Sequence, residues 1–529
     1  MANIVLIGFM GSGKSTIGKI LSLKLKMDFA DTDEMIEKEI GLPIPEIFEK
    51  YGEPYFREIE GKVVRRLLDF DNYVISTGGG TILSSENIKI LRRIGFIFYL
   101  HITLQEIKKR IKDPTTRPLF YKYEKIFKQR LPIYKNSSDY TISVSKLSPS
   151  KVVEKIVSSL DKDYLFERMH INLGENGSDI YVMKRGLEKI GRYLKQYDIG
   201  NRGMIVTNTK VAKLYFDVVK GSLVSYGFIP IVTRLPDGER YKTIEYALKL
   251  YDICLKNKLD RKSFIISLGG GVVGDIAGFV SATYRRGIAF FQVSTTLLAQ
   301  VDASIGGKTA VNHSKGKNMI GAFHQPRFVF SCVEVLKTLP PKEIKNGLAE
   351  VVKYGIIRDK NLFEYLEGNI QKILDYDTDS LFEIVRKSAE IKAQIVEVDE
   401  KEEGIRTILN YGHTLGHALE SVGEYRRLTH GEALAIGIIY AARVSEEMGI
   451  MDSSSVKRIE NLLRRIGLLT DMNLFDPAEV WRAMQLDKKV IWGKLRMVLS
   501  TGIGSCEIVD KLNENLLKKV LKSLHSNGN

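Results

Sequence analysis

Short apolar runs alternate with longer stretches of mixed polarity through residue 160. Residues 4–7, 74–76 and 96–100 have the length and composition of buried strands, and each is followed by a loop or a helical pattern. Alternation of this kind predicts a parallel sheet covered by helices. Residues 151–160 have amphipathic helical periodicity, and we expect them to close this first part of the chain.

A second alternating pattern follows a polar break at residues 161–163. Its predicted strands are residues 204–206, 230–232, 264–268 and 289–293. From about Cys332 onward the periodicity is helical over long stretches, with few strands. The pattern therefore predicts an α/β chain with domains at 1–162 and 168–529. The second divides into a Rossmann-like lobe, 168–330, and a mostly helical lobe, 331–529.

Composition agrees with two or three folded domains, since 529 residues exceed what one hydrophobic core usually serves. The net charge of +15 is spread over both parts rather than gathered in one stripe. A stripe would be typical of a nucleic-acid binder. We therefore expect small anionic substrates and no nucleic acid, because phosphates and carboxylates are bound by Lys and Arg.

Two further features bear on location. No apolar run is long enough to cross a bilayer, and the first residues are typical of a strand rather than a signal peptide. Cys254, Cys332 and Cys506 are isolated, so they form no disulfide framework or metal knuckle. We expect a cytoplasmic protein that does not associate with membranes.

The sequence GFMGSGKS at residues 8–15 fits the phosphate-binding pattern GxxxxGK[ST], between a predicted strand and a predicted helix. Its glycines let backbone N–H groups converge on phosphate oxygens, and the helix N-terminus adds positive potential. Lys14 is placed to reach the terminal phosphates and Ser15 to bind Mg²⁺. The alternative, an ordinary glycine-rich turn, would not need this context.

Further residues narrow the substrate of this P-loop. Asp31 and Asp33 lie on one side of an extended segment, which suits Mg²⁺ and an attacking hydroxyl. The glycines at 78–80 end a strand with bare backbone, so a ligand can approach closely. The remaining cations are Arg57, Arg117 and Arg130. They suit a carboxylate and moving phosphates, although a single arginine is more often part of a solvated face.

Together these pieces resemble shikimate kinase over the first part of the chain. The matching stretches are the P-loop, DTD at 31–33, GEPYFR at 52–57, GGG at 78–80, RPL at 117–119 and RLPIY at 130–134. The resemblance implies a P-loop kinase fold with a parallel sheet, and MgATP as the phosphate donor. The lid between Arg117 and Arg130 is shorter than is common in that family.

The resemblance also implies roles for single residues. ATP phosphates would be bound by Gly11, Ser12, Gly13, Lys14, Ser15 and Thr16. Arg110 would lie near the adenine, and Ser15 and Asp31 would act on Mg²⁺. Asp33 would hold the acceptor hydroxyl and assist its deprotonation. Shikimate would be bound by Arg57, Gly79 and Arg130, and Arg117 would touch the transferring phosphate from the lid.

The second part carries a different constellation. GGGVVGD at residues 269–275 follows a predicted strand and precedes a helix, which is typical of a phosphate-cradling turn. His413 and His417 are four residues apart and would share a helix face, with His430 further on and Glu350 upstream. One carboxylate with imidazoles suits a catalytic Zn²⁺. Spacing alone favours His413 and His417 as the ligand pair.

Residues 168–529 resemble 3-dehydroquinate synthase. The matching stretches are PDGE at 236–239, GGGVVGD at 269–275, TYRRG at 283–287, TTLLAQVD at 295–302, GGKT at 306–309, GKN at 316–318, EVVK at 350–353, NYGH at 410–413, HGE at 430–432 and DKK at 487–489. The resemblance replaces the spacing-based ligand pair by Glu350, His413 and His430, on Zn²⁺ or Co²⁺. His417 would contact substrate or phosphate instead.

The same resemblance implies an NAD site and a substrate pocket. The implied NAD-binding residues are Glu239, Lys242, Gly270, Gly271, Asp275, Thr295, Thr296, Lys308, Lys317 and Thr338. The implied pocket residues are Asp302, Arg286, Lys308, Lys317, Asn318, Lys353, Lys392, Arg406, Asn410 and Lys494. Of these, Arg286, Lys308, Lys353 and Asn410 would take part in catalysis with His417. Ser294 and Asn208 depart from the family pattern, which commonly has a proline and an acidic residue there.

We therefore expect a bifunctional enzyme of aromatic amino-acid precursor synthesis. One part would phosphorylate shikimate. The other would convert 3-deoxy-arabino-heptulosonate 7-phosphate to 3-dehydroquinate and phosphate, with NAD recycled within one turnover. The alternatives for the second part are another sugar-phosphate cyclase or a polyol dehydrogenase, and either half could instead be a nucleotide-binding regulatory module. The expected partners are small molecules, with a homodimer through the synthase part as one option.

Overall fold

Two compact units make up the chain. This computed structural model describes residues 3–111, 122–160, 166–424, 427–469, 474–486, 490–491, 494–510 and 512–526. The first unit comprises Met1–Glu167 and the segment Lys189–Asp198, and the second comprises Arg168–Glu188 and Ile199–Asn529. The division into residues 1–162 and 168–529 stays a proposal, since the polar break at 161–163 lies outside the described residues.

The first unit is built on a parallel sheet. Its strands are β1 (Asn3–Ile7), β2 (Asp28–Asp31), β3 (Tyr73–Ser76), β4 (Gly95–His101) and β5 (Tyr140–Ser143), in the order β2-β3-β1-β4-β5. Its helices are α1 (Lys14–Leu25), α2 (Thr32–Ile40), α3 (Ile44–Arg66), α4 (Ser85–Ile94), α5 (Leu104–Arg110), α6 (Tyr123–Ser137), α7 (Pro149–Ser159) and α8 (Ile190–Leu194). The three strands and the closing helix predicted for this part are confirmed.

The central strand determines where the chemistry of the first unit gathers. All five residues of β1 are buried, as expected of a strand covered by helices on both faces. Strands β1, β2 and β3 are parallel, so their carboxyl ends meet at one edge of the sheet. The P-loop, the Asp31–Asp33 segment and the glycines at 78–80 follow these three strands and therefore meet at that edge.

The second unit begins with another sheet. Its strands are β6 (Phe166–Ile171), β7 (Ser178–Met183), β8 (Arg202–Asn208), β9 (Ile229–Leu235), β10 (Phe264–Gly269), β11 (Ala289–Ser294) and β14 (Phe328–Cys332), in the order β6-β7-β14-β11-β10-β8-β9. Helices α9 (Thr209–Ser225), α10 (Ile244–Lys256) and α11 (Gly271–Thr283) connect them, and β12 (Lys308–His313) pairs with β13 (Gly316–Phe323) as a hairpin. The four strands predicted here are confirmed.

The rest of the second unit is mostly helical, as predicted. Its helices are α12 (Pro341–Ile357), α13 (Lys360–Leu374), α14 (Thr378–Val398), α15 (His413–Val422), α16 (His430–Glu447), α17 (Ser453–Ile466), α18 (Pro477–Leu486) and α19 (Glu514–Ser526). Its strands are β15 (Val490–Ile491), β16 (Lys494–Leu495), β17 (Met497–Gly502) and β18 (Ser505–Val509). In the described part of the chain, no helix has the length and hydropathy needed to cross a membrane.

Helices α15 and α16 pack backbone against backbone. A Cβ added to Gly437 of α16 would lie 1.9 Å from the carbonyl oxygen of Gly412, the residue that precedes α15. Thr429 caps α16 through a reciprocal capping box with Glu432. Since His413 opens α15 and His430 opens α16, this close approach sets the distance between the two imidazoles.

We expect Gly437→Ala to destabilise the second unit by about 1–3 kcal/mol, because the new methyl group has no space beside Gly412. Gly368→Ala is the matched control. Gly368 lies in exposed surface of α13 with nothing within 4 Å of an added Cβ, so this change should stabilise by roughly 0.5–1 kcal/mol. Denaturant unfolding of the two variants measures both effects. Equal shifts would contradict the packing argument.

Candidate active sites

The P-loop of the first unit has the backbone that phosphate binding requires. Gly11 and Gly13 have φ values of 78° and 85°, which favour glycine, and α1 begins directly after them at Lys14. A Cβ added to Gly8 would lie 2.7 Å from Ser12 Oγ. Lys14 Nζ donates to the Gly8 carbonyl at 3.0 Å, so its ammonium curls over the loop. The loop thus fits a nucleotide's phosphates against the N-terminus of α1.

Asp31 connects the P-loop to the start of α2. Its carboxylate accepts from Ser15 Oγ at 2.6 Å and from the backbone N–H of Asp33 at 3.0 Å. The hydroxyl and the carboxylate that the sequence assigned to Mg²⁺ are therefore direct neighbours. Oxygen donors of this kind are what Mg²⁺ prefers.

Asp33 faces the glycine turn after β3. A Cβ added to Gly78 would lie 2.7 Å from Asp33 Oδ1, so only glycine leaves room there. Burial raises the pKa of Asp33 to about 6, and the nearby Asp31 adds to the shift, while Lys14 opposes it. A carboxylate with such a pKa changes protonation close to neutral pH, which suits a general base.

Two arginines meet the same glycine turn. Arg57 donates to Glu60 Oε2 at 2.8 Å and to Glu53, and a Cβ on Gly80 would lie 2.4 Å from its guanidinium. Arg130 donates to the Gly79 carbonyl at 2.9 Å. The structure therefore brings Asp33, Arg57 and Arg130 together around residues 78–80. Arg117 lies outside the described residues.

Arg110 occupies the other side of the P-loop. It donates to the Val144 carbonyl at 2.9 Å and, more weakly, to the Gly11 carbonyl at 3.4 Å. Its position next to Gly11 is compatible with contact to the base or sugar of a nucleotide whose phosphates lie on the loop.

Two residues of this site were not predicted from the sequence. Glu60 is 1% exposed and holds Arg57 while accepting from Thr81 Oγ1 at 2.7 Å. Its spacing of three from Arg57 on a helix was a signal that could have identified it. Tyr134 donates to the Gly79 carbonyl at 2.5 Å and stacks on Tyr99 with an interplanar angle of 3°. Its spacing of four from Arg130 on α6, within the RLPIY stretch, was a signal that could have identified it.

A cavity of about 1730 Å³ marks the site of the second unit. The predicted residues that line it are Glu239, Lys242, Gly270, Gly271, Asp275, Thr295, Thr296, Asp302, Lys308, Lys317, Asn318, Thr338, Asn410, His417 and His430. Glu350, Lys353, Lys392, Arg406 and His413 lie behind this lining, buried or nearly so. Most of the predicted constellation thus converges on one cavity.

The glycine turn at 269–271 forms one wall of the cavity. It ends β10 and opens α11, and a Cβ on Gly270 would lie 2.9 Å from Thr296 Cγ2. The Thr295 hydroxyl is buried and has no hydrogen-bond partner within the described residues. A bare turn at a helix N-terminus beside an unpartnered hydroxyl fits a dinucleotide's phosphates.

Charged pairs close that part of the cavity. Lys242 pairs with Asp275 and donates to Asn318 Oδ1 at 2.6 Å, and Glu239 accepts from Asn312 at 2.8 Å. Burial raises the pKa of Asp275, and Lys242 counteracts this shift.

The structure places both residues that depart from the family pattern, and only the departure at Asn208 has a local explanation. Asn208 caps α9 and donates to Asp237 Oδ1 at 3.0 Å. The acidic side chain of Asp237 therefore lies beside Asn208 at the cavity, although it comes from another loop. Ser294 ends β11 with its hydroxyl buried and without a partner in the described part of the chain. Thr338 meets the Tyr215 hydroxyl at the same rim.

Glu350, His413 and His430 bring one ligand atom each within 4.8 Å of one another. Glu350 Oε1 lies 3.4 Å from His413 Nε2 and 3.3 Å from His430 Nε2. The ring of His417 is 5.2 Å from that of His413 and faces the cavity. A carboxylate with two imidazoles, and open space beside them, fits a catalytic Zn²⁺ or Co²⁺.

Burial and charge set the protonation of this cluster. Burial lowers the pKa of His413 to about 3. Burial alone would lower the pKa of His430 too, but Glu350 and Glu420 raise it to about 10. Burial would raise the pKa of Glu350, yet Lys353 and the imidazoles hold it well below its usual value. The carboxylate is thus ionised, as a metal ligand must be.

The pocket beside this cluster is rich in cations. Lys392 donates to Asp302 Oδ1 at 2.7 Å, and Tyr354, which was not predicted, donates to the same oxygen at 2.6 Å. Glu402, also not predicted, pairs with Lys308 and accepts from Asn410 at 2.6 Å. Burial, with smaller effects of neighbouring cations, lowers the pKa of Lys308 to about 8.

Three predicted pocket residues differ from the rest. Arg286 is exposed and does not line the cavity, and its φ of 65° places it in the tight turn after α11. Arg406 is 2% exposed and donates to the Gly306 carbonyl at 3.1 Å, behind the lining. The side chain of Lys494 and the motif at 487–489 lie outside the described residues.

Comparison with known proteins identifies both units. The family model for shikimate kinase matches residues 10–161, and those for the N-terminal and C-terminal parts of 3-dehydroquinate synthase match residues 232–346 and 347–490. The 3-dehydroquinate synthase of Desulforamulus reducens is 47% identical over 354 residues, which are 67% of this chain and 99% of that protein. The enzyme of the same name from Thermodesulfovibrio yellowstonii is 46% identical, with the same coverage of both chains.

One similar solved structure contains bound ligands. The crystal structure of a 2-deoxy-scyllo-inosose synthase complexed with carbaglucose-6-phosphate, NAD⁺ and Co²⁺ is 27% identical, with a TM-score of 0.62. The match covers 68% of this chain and 100% of that one.

Asp33 should make the stability of the first unit depend on pH. Its folded pKa lies above the value in an unfolded chain, so stability is lost as pH rises from about 4 to about 6 and stays reduced above. A shift of this size corresponds to about 3 kcal/mol. We expect Asp33→Asn to raise the calorimetric unfolding temperature clearly at pH 8 and only slightly at pH 4. Asp28→Asn, at an exposed position, is the control, and an equal gain at both pH values would contradict the argument.

Proposed function

The chain belongs to the 3-dehydroquinate synthase family and carries a shikimate kinase domain at residues 10–161, and we propose here which residues perform each reaction. The protein is a bifunctional enzyme of the shikimate pathway. It phosphorylates shikimate with ATP, and it converts 3-deoxy-arabino-heptulosonate 7-phosphate to 3-dehydroquinate and phosphate. The observation that supports the residue assignments best is the convergence of the predicted side chains on two places, the turn at 78–80 and the cavity of the second unit.

In the kinase, the proposed base is Asp33. Its pKa of about 6 leaves it ionised at neutral pH and able to accept the proton of the attacking hydroxyl. Arg57 and Arg130 meet the same turn and would bind the carboxylate of shikimate, which fixes the hydroxyl relative to Asp33. Ser15 and Asp31 would hold Mg²⁺, and Lys14 would stabilise charge on the transferred phosphate.

In the synthase, we propose that Glu350, His413 and His430 bind Zn²⁺ or Co²⁺. A metal held there would supply Lewis-acid polarisation of a substrate hydroxyl, and NAD held at the glycine turn would supply reversible hydride transfer. Glu350 supplies the negative charge of the ligand set. Lys353 forms an ion pair with Glu350 and balances part of that charge. His417 faces the cavity beside the ligands, so it would contact the substrate rather than the metal.

Substrate binding in the synthase requires an exchange of partners. Glu402 forms an ion pair with Lys308 and accepts a hydrogen bond from Asn410, and both of these groups are proposed to bind the anionic substrate. A phosphate or carboxylate arriving at these groups has to replace the Glu402 carboxylate. Asp302, held by Lys392 and Tyr354, would present an oriented acceptor on the cavity wall.

We further propose that the protein works in the cytoplasm and associates as a homodimer through the synthase unit. The three free cysteines support a reducing compartment. The dimer is supported by β9, which is the last strand at one edge of the sheet. Ile229 and Val232 on this strand are exposed, and an exposed apolar edge strand can pair with another chain. Light scattering of the purified chain tests the dimer, and a monomer at micromolar concentration would exclude it.

Lys14→Ala should reduce shikimate phosphorylation by about 10²-fold or more, because it removes the cation that contacts the transferred phosphate. Cyclisation should stay within about twofold, since Lys14 belongs to the first unit alone. The assay offers the purified protein both substrates and follows ADP and inorganic phosphate separately. In the unsubstituted protein, phosphate release without net NADH formation distinguishes the synthase from a dehydrogenase. A parallel loss of both activities in a folded Lys14→Ala variant would refute the separate roles.

Metal content should separate the three histidines. His413→Ala and His430→Ala each remove one proposed ligand and should purify without metal. His417→Ala should keep its metal and lose turnover, because its proposed partner is the substrate. Elemental analysis of the folded variants measures this directly. A loaded His430→Ala together with a metal-free His417→Ala would show that the spacing-based ligand pair is the right one.

A further inference from the structure

Glu420 is a largely buried carboxylate that the proposed chemistry does not use. It lies on α15 seven residues after His413 and three after His417, so all three share one face of that helix. Its side chain is 11% exposed and lines the cavity. An ionised group this deeply buried needs partners, and those partners indicate its role.

Its first partner is the outer nitrogen of His430. Glu420 Oε2 lies 3.4 Å from His430 Nδ1, while His430 Nε2 lies 3.3 Å from Glu350. His413 is arranged in the same way: its Nε2 faces Glu350 at 3.4 Å and its Nδ1 faces the Tyr411 carbonyl at 3.3 Å. Both imidazoles therefore turn Nε2 inward, and each has an acceptor at Nδ1.

The geometry points to Glu420 as a positioning residue that holds His430 with its Nε2 lone pair directed at the metal. We infer this role on top of the proposed ligand set of Glu350, His413 and His430. Glu420 accepts a hydrogen bond from the Nδ1–H of His430, which fixes the tautomer and the orientation of the ring. The two rings are not equivalent, because His430 meets a carboxylate and His413 only a carbonyl.

The second partner of Glu420 connects the metal centre to the hairpin β12–β13. Glu420 Oε1 lies 3.9 Å from Lys317 Nζ, on β13. Lys317 balances part of the carboxylate's charge without occupying the oxygen that faces His430. One buried carboxylate thus joins a metal ligand to a cation of the cavity wall.

The test compares Co²⁺ affinity of metal-free protein before and after substitution. Glu420→Ala should weaken Co²⁺ binding by roughly 10- to 100-fold, as measured by competition with a chelator. The Co²⁺ absorption spectrum of the variant should also change, because His430 is no longer held in one orientation. Glu420→Gln keeps an acceptor oxygen but no charge, so its loss of affinity should be smaller. At saturating Co²⁺, both variants should regain most of the cyclisation rate.

Glu432→Gln is the matched control for a merely structural role. Glu432 accepts from the backbone N–H of Thr429 at 2.7 Å and caps α16, yet its carboxylate is not paired with His430 in the described contacts. Its substitution keeps an acceptor oxygen but removes the negative charge, so it should weaken the start of α16 and leave Co²⁺ affinity within about threefold. If Glu432→Gln and Glu420→Ala lowered affinity equally, the effect would come from the helix and the inference would be wrong.

Two other outcomes are distinguishable. A folded Glu420→Ala with unchanged Co²⁺ affinity and spectrum would overturn the inference while leaving the ligand set intact. If the unsubstituted protein bound Co²⁺ no more tightly than His430→Ala, the ligand set itself would fall, and the inference with it. Should Glu420→Ala not fold, Glu420→Gln carries the same comparison, because it preserves the size of the side chain.

Discussion

The buried carboxylate of Glu350 is the constraint on which the second unit depends. At 1% exposure it is stable as an anion only if donors surround it, and they come from three places in the sequence. Lys353 lies one turn along α12, His413 opens α15, and His430 opens α16. Those helices must therefore meet within a few ångströms, and the bare backbone at Gly437 makes that approach feasible. The same approach of these helices therefore packs the helical lobe and assembles the cluster beside its cavity.

The first unit solves a related problem with backbone rather than with metal ligands. Gly78 and Gly80 leave room for the carboxylate of Asp33 and the guanidinium of Arg57, with which a side chain at either position would collide, and the Gly79 carbonyl accepts from Arg130. Glu60, buried under this turn, aligns Arg57 without taking up the space of a ligand. The result is a rigid strip of backbone between an acidic group and two cations, which is what selective recognition of a hydroxy acid requires.

Much of the fold follows from the sequence because fully buried parallel strands appear as continuous apolar runs. The runs at 4–7 and 264–268 are of this kind. Two edge strands of the first unit, β2 and β5, were missed because they are partly exposed and lack the apolar signal. In the second unit, β7 and β14 were missed although they are fully buried. For the site, motif similarity led to residues that converge, whereas spacing alone favoured His413 with His417. Spacing shows that His413 and His417 are neighbours on α15. Which histidines lie next to Glu350 depends on how α12, α15 and α16 pack together, and spacing carries no information about that. Glu402 and Tyr354 could not be predicted at all, since their contacts arise only from tertiary packing.

The chain path has a consequence for taking the enzyme apart. The first unit holds residues from two separate stretches, because Lys189–Asp198 belongs to it although the chain has already entered the second unit at Arg168. The backbone passes between the units at three points rather than at one. Scission at any single peptide bond therefore cannot release two complete halves. Gene fragments divided near residue 167 would place Lys189–Asp198 in a different product from the rest of the first unit.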